Sequence, residues 1–190
     1  MDRLPLVALF LAACVGSEPV EPPPSRVNAV PAPPKRAADL DAFCEVRKDG
    51  AEAPMFQFPA LESPPPEHTP GWTWVNVWAT WCGPCVEEMP RLLEWEKKLA
   101  SEGAPVRLQF VSNDAGSQEL ELFRKKHAWA PPTVRMTDPG ELTRWLSPFG
   151  VQNPVLPVHL FVDGENRVRC ARTAAISESE YDSVKALVRQ

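Results

Sequence analysis

Cys82 and Cys85 are separated by Gly83 and Pro84 and follow directly on the apolar run Val75-Asn76-Val77-Trp78-Ala79-Thr80-Trp81. That is where a reactive thiol pair belongs. A strand passing into a helix leaves the first backbone N–H groups unpaired and points the positive end of the helix dipole at the first sulfur. This stabilises a thiolate and lowers a cysteine pKa from about 8.5 to as low as about 3.5–7.5. Cys82 is therefore the expected nucleophile. Cys85, one turn further in and more buried, is placed to attack the mixed disulfide and release the reduced substrate. Pro84 has no N–H to lose in the first turn. Zinc sites share the C-x-x-C spacing but need four ligands. His68, His127 and His159 stand at no ligand spacing from this pair, so the chemistry read here is thiol-disulfide exchange with no cofactor and no metal.

The surrounding elements follow from hydrophobic period and punctuation. Trp72 to Ala79 reads as a buried strand and Gly83 to Ala100 as a helix, with Val86, Met89, Leu92, Leu93 and Leu99 near one face. Pro90 inside that helix predicts a kink. Val106 to Ser112 is the next strand, Ser117 to Ala128 a helix, and Glu141 to Leu146 a short helix within a Pro- and Trp-containing insertion. Val158 to Val162 and Arg167 to Cys170 read as strands joined by a hairpin turn at Asp163-Gly164. Ser177 is expected to cap a terminal helix reaching Val188. Strands alternating with helices imply an α/β domain over residues 39–190.

Val77-Trp78-Ala79-Thr80-Trp81-Cys82-Gly83-Pro84-Cys85, followed by Pro90, resembles thioredoxins, and more closely the exported, membrane-anchored TlpA-like and ResA-like disulfide reductases. Leu156-Pro157, followed by Val158-His159-Leu160-Phe161-Val162-Asp163-Gly164, resembles the cis-proline strand and hairpin of the same family. The resemblance covers roughly residues 40 to 190. It implies a thioredoxin-like fold, a central mixed β-sheet flanked by helices, with Pro157 facing the active cysteines and the Leu156 backbone free to pair with a substrate strand. It also implies a Trp81 ring beside the nucleophilic sulfur, shielding it from water.

Asn76 stands where thioredoxins proper keep a buried acid, a departure that the exported group shares. Glu88, one turn after Cys85, resembles a glutamate some members carry near the pair and is a candidate proton relay for the resolving thiol. The competing reading is that Glu87 and Glu88 form a solvated acidic first turn favoured by the helix dipole. His159 reads as a core histidine that in principle reaches the site, and Trp72, Trp74 and Trp78 mostly as core.

Residues 1–13 read as an export signal: Arg3, then an apolar run too short to span a bilayer, where a helix needs roughly 20 residues. Leu11-Ala12-Ala13-Cys14 resembles a lipobox, which makes Cys14 the lipidated first residue of the mature chain. Residues 14–38 hold seven of the 23 prolines and read as an extended tether. Cys44 and Cys170 remain, and in an oxidising compartment a structural disulfide between them is expected. A redox relay to the active pair and two independent buried thiols are the alternatives.

The formal charge of −5, with both signs interspersed, offers no basic face for a nucleic acid. The expected function is protein-disulfide reduction on the periplasmic side of a bacterial envelope. The protein would be membrane-bound through its lipid, act on protein thiols and disulfides, and be kept reduced by a membrane electron donor. Family resemblance offers apocytochrome c or copper-site cysteines as substrates. The Gly-Pro pair resembles the reducing end of a range from about −270 mV for thioredoxin to about −120 mV for the oxidant DsbA. The rivals are a disulfide oxidase or isomerase, a peroxidase, and a copper-delivery protein of the same fold, which would resemble a C-x-x-x-C spacing with a distal histidine.

Overall fold

Seven residues, Trp72–Trp78, form β2, and six of them are buried, as befits a strand covered on both faces. The computed structural model describes residues 39–64 and 70–190. The expected signal, Cys14 and the whole of the expected tether lie outside those residues, as does His68. The other strands are β1 (Val46–Arg47), β3 (Val106–Ser112), β4 (Thr133–Arg135), β5 (Val158–Val162) and β6 (Val168–Arg172), and the helices are α1 (Leu40–Phe43), α2 (Gly83–Ser101), α3 (Ser117–Lys126), α4 (Leu142–Leu146) and α5 (Tyr181–Leu187). The sheet order is β1-β6-β5-β2-β3-β4. β2 runs parallel to β3 and antiparallel to β5, so the sheet is mixed.

Side chains on a strand alternate between faces, and the two cores separate accordingly. Trp74 and Trp78 join Met89, Leu92 and Leu99 of α2, Phe161 of β5, and Val184 and Leu187 of α5. Val75 and Val77 join Val158 and Leu160, covered by Met136, Leu142, Leu146 and Phe149. Asn76 and His159 share the face that α2 covers, and they are paired across β2 and β5.

Several boundaries differ from the sequence expectation. β5 and β6 are joined not by a two-residue turn but by residues 163–167, in which the Asp163 carboxylate accepts hydrogen bonds from the Glu165 and Arg167 amides and Asn166 has a φ of 63°. The side-chain cap lengthens the connection, and the strand begins one residue later, at Val168, and runs to Arg172. The helix expected to reach Ala128 ends at Lys126, with His127 extended at its C-cap. α2 runs through Pro90 as one helix. At the C-terminus, Ser177 and Glu180 make a reciprocal capping box, as expected of Ser177. The first turn, however, is a 3₁₀ turn, and α5 starts only at Tyr181. α1, β1 and β4, none longer than four residues, were not anticipated: β1 and β4 exist by pairing with β6 and β3, and α1 is a single turn capped by the Asp39 carboxylate, which accepts from the Ala42 amide.

Candidate active site

Cys82 is the N-cap of α2, with extended backbone angles, and its sulfur accepts the Cys85 amide at 3.3 Å. Cys82 and Cys85 are joined in a disulfide with Cα atoms 5.3 Å apart. Cys82 keeps 6% of its surface exposed and Cys85 none. Attack from outside therefore meets Cys82, while Cys85 is reached only from within. Pro84 lies in the first helical turn. Trp81, directly before Cys82, keeps 69% of its surface exposed.

The loop before the pair is held by a residue that sequence reasoning missed. Asp114, fully buried just after β3, accepts from the Thr80 amide at 3.0 Å, the Thr80 hydroxyl at 2.7 Å and the Ser112 hydroxyl at 2.6 Å. Asn113 donates its amide to the Trp78 carbonyl at 2.8 Å. Arg135 donates to the Asp114 carbonyl at 2.9 Å and pairs with Glu62. Its guanidinium, through that hydrogen bond, holds the Glu62 carboxyl below the usual carboxylate range. The available signal was an acid placed directly after a buried strand, in Ser112-Asn113-Asp114.

Glu88 corrects the reading of an exposed acidic turn: Glu87 is exposed, but Glu88 is 1% exposed and faces the core. Its Oε1 accepts from Asn76 Nδ2 at 3.0 Å and its Oε2 from the Ile176 amide at 2.7 Å. The acid missing from β2 is thus supplied at the same place by α2. His159 is fully buried, with Nε2 3.3 Å from Glu88 Oε1 and Nδ1 accepting from Trp74 Nε1 at 3.1 Å.

The Leu156–Pro157 peptide is cis. Val158 pairs with Val77, which brings the buried Pro157 beside the end of β2, four residues before Cys82. Leu156 packs on both cores, and the neighbouring Val155 is exposed. In the same core as the Cys82–Cys85 pair, Cys44 and Cys170 form a second disulfide, closing a separation of 126 residues where β1 pairs with β6.

No family model matches the chain. It is 26% identical over 118 residues to the thiol-disulfide oxidoreductase ResA of Bacillus subtilis, a match covering 60% of each chain. It is 37% identical over 49 residues to the thioredoxin-like protein YneN of the same organism, covering 26% of this chain and 29% of the relative. The match thus spans less than two thirds of either curated relative. Among solved structures, a thioredoxin-related protein from Neisseria meningitidis serogroup B superposes with a TM-score of 0.52 at 26% identity, over 64% of this chain and 87% of that one. With its mixed sheet and a disulfide at the start of α2, the chain has the thioredoxin-like fold, and its homologues and structural neighbours are thiol-disulfide oxidoreductases.

Proposed function

We propose that this protein is a thiol-disulfide oxidoreductase acting as a disulfide reductase on protein cysteines outside the cytoplasm. The carrying observation is Cys82 as N-cap of a 19-residue helix, its sulfur accepting a backbone N–H, with Cys85 fully buried behind it. In the reduced pair, the Cys82 thiolate attacks a substrate disulfide, forming a mixed disulfide and expelling one substrate thiolate. Cys85 passes its proton to Glu88 and attacks Cys82 Sγ. The second substrate thiolate leaves, and the Cys82–Cys85 disulfide carries away the two electrons' worth of oxidation. A membrane electron donor of the thioredoxin-reducing type restores the dithiol. Pro157 and Trp81 flank the sulfurs where substrate docks, and Cys14 carries the lipid that holds the protein on the periplasmic side of the membrane.

Insulin reduction and a trapping assay test the chemistry. Cys82→Ser should abolish turnover, and Cys85→Ser should accumulate a covalent complex with a substrate disulfide. Full multiple turnover by Cys85→Ser would remove its resolving role. For the anchor, Cys14→Ala should move the protein from the membrane fraction to the soluble one with its solution activity intact. Retention in the membrane fraction would point to a different anchor.

A further inference from the structure

The network around Glu88 is larger than a relay needs. Trp74 Nε1–H can only donate, and it points at His159 Nδ1, 3.1 Å away. That nitrogen is therefore the acceptor, so the proton of the neutral ring sits on Nε2, which faces Glu88 Oε1 at 3.3 Å as a close polar contact rather than an aligned hydrogen bond. Asn76 Nδ2, 3.0 Å from Oε1 and 3.3 Å from His159 Nδ1, ties the two side chains together. Glu88 Oε2 is held separately, by the Ile176 amide. Three elements, β2, β5 and the segment before α5, thus converge on one carboxylate three residues after the resolving cysteine.

We propose that His159 is a positioning residue for Glu88. Locked by Trp74 as the Nε2–H tautomer, it steadies Oε1 of the carboxylate and so sets the pH range over which Cys85 can give up its proton. This rests on the relay role given to Glu88 above. The groups facing the pair are few. Cys85 and Arg91 lie on α2, Arg91 donating to the Ile176 carbonyl. Asn76 and Trp74 on β2 are uncharged. On β6, Arg172 lies opposite His159 in register and is engaged by Glu180 at 2.7 Å. The His159 Nε2–H, 3.3 Å from Oε1, is a polar neighbour of the carboxylate that an apolar side chain at position 159 would not supply.

The test follows reduction of a disulfide peptide by pre-reduced protein across pH, in single turnover, with the melting temperature of each variant measured alongside. His159→Leu removes the donor while keeping an apolar volume, and it should move the acidic limb of the rate profile upward by about one pH unit. On that limb this is about a tenfold loss of rate. His159→Gln, which can present an amide N–H, should restore most of the shift. Trp74→Phe removes the group that selects the tautomer and should move the same limb in the same direction by less. It also serves as the test if His159→Leu fails to fold. A lowered melting temperature with an unmoved profile in His159→Leu, or in Trp74→Phe where that variant stands in, assigns His159 to packing alone and overturns the proposal. Glu88→Gln separates the two levels. If it leaves the acidic limb where it was, the relay itself is wrong. If it moves the limb while His159→Leu does not, the relay stands and only the role of His159 falls.

Discussion

Glu87 and Glu88 are adjacent and identical in type, yet one is solvated and the other is held by three neighbours in the core. Helical period accounts for it. Glu88 follows Cys85 by three residues and precedes Leu92 by four, so it falls on the inward stripe with Met89 and Leu92, and Glu87 does not. A buried carboxylate is tolerated only when donors meet it, and that requirement makes Asn76 and the Ile176 amide part of the same site. At the opposite end of α2, burial, followed by a hydrogen bond to Glu102, pushes the Tyr181 phenol up to about 12. A phenol whose folded value lies above an unfolded value of about 10 stabilises the fold fully below that lower value. The contribution is lost as pH rises from about 10 to about 12. Tyr181→Phe should therefore weaken the protein at neutral pH through the lost hydrogen bond, yet flatten the alkaline fall in stability. Urea midpoints at about pH 8 and about pH 11 would show it, and parallel curves for both proteins would count against it.

Among the elements, those with strong period or a long buried run were legible: β2, α2, β3 and β5 stand within a residue of expectation. The Cys82–Cys85 pair was legible because it stands at a helix start, whereas the cis Leu156–Pro157 peptide was legible only through the resemblance of that segment to a family's cis-proline strand. What escaped was made by tertiary contact. β1 is two residues long and exists because β6 pairs with it, and β4 exists because β3 does. Nothing in Asn113-Asp114-Ala115 announces that Asp114 will reach back to Thr80, since the partners are 34 residues apart. His159 reads as core from its apolar neighbours, and its ring shares space with Glu88 only once β5 lies antiparallel to β2. The Asp114 clamp makes a prediction at this scale. Removing a buried acceptor strands its donors, at about 1–3 kcal/mol each, so with three donors on the carboxylate Asp114→Ala should lower stability by at least about 3 kcal/mol. Because Thr80 lies two residues before Cys82, the thiol-exchange rate should fall too. Thr80→Val, which keeps the amide bond and loses only the hydroxyl, should cost about 1 kcal/mol. A denaturation series with thiol-reactivity measurements resolves the order; equal effects from both substitutions would place the clamp's contribution elsewhere.

At the scale of the molecule, two disulfides divide the labour. The Cys44–Cys170 bridge ties the beginning of the folded region to its last strand, and a loop that long is worth up to about 5 kcal/mol in the chain-entropy model. Replacing both cysteines by alanine should lower the melting temperature by several degrees and leave the potential of the active pair nearly unchanged. Under mild reductant, mass-spectrometric thiol counting should find two free thiols before four, because Cys82 is the more exchangeable sulfur. Early opening of Cys44–Cys170, or a large shift in the active-pair potential, would reassign that bridge to the redox chemistry. The strand order has a different consequence. The outermost strands are the shortest, two residues in β1 and three in β4, and the outer side of the β4 end is already occupied through Glu62 and Leu61, which bond to Arg135 and Met136. Unfolded polypeptides aggregate on sheets by adding themselves to an unprotected border strand. A protein with the disulfide-exchange role proposed above would otherwise template its polypeptide substrates along its own backbone. Among the described residues, β2 and β5 have a strand on each side, whereas β3 is covered by β4 only over Phe110–Ser112, so the centre of the sheet offers a docked polypeptide little open border to extend.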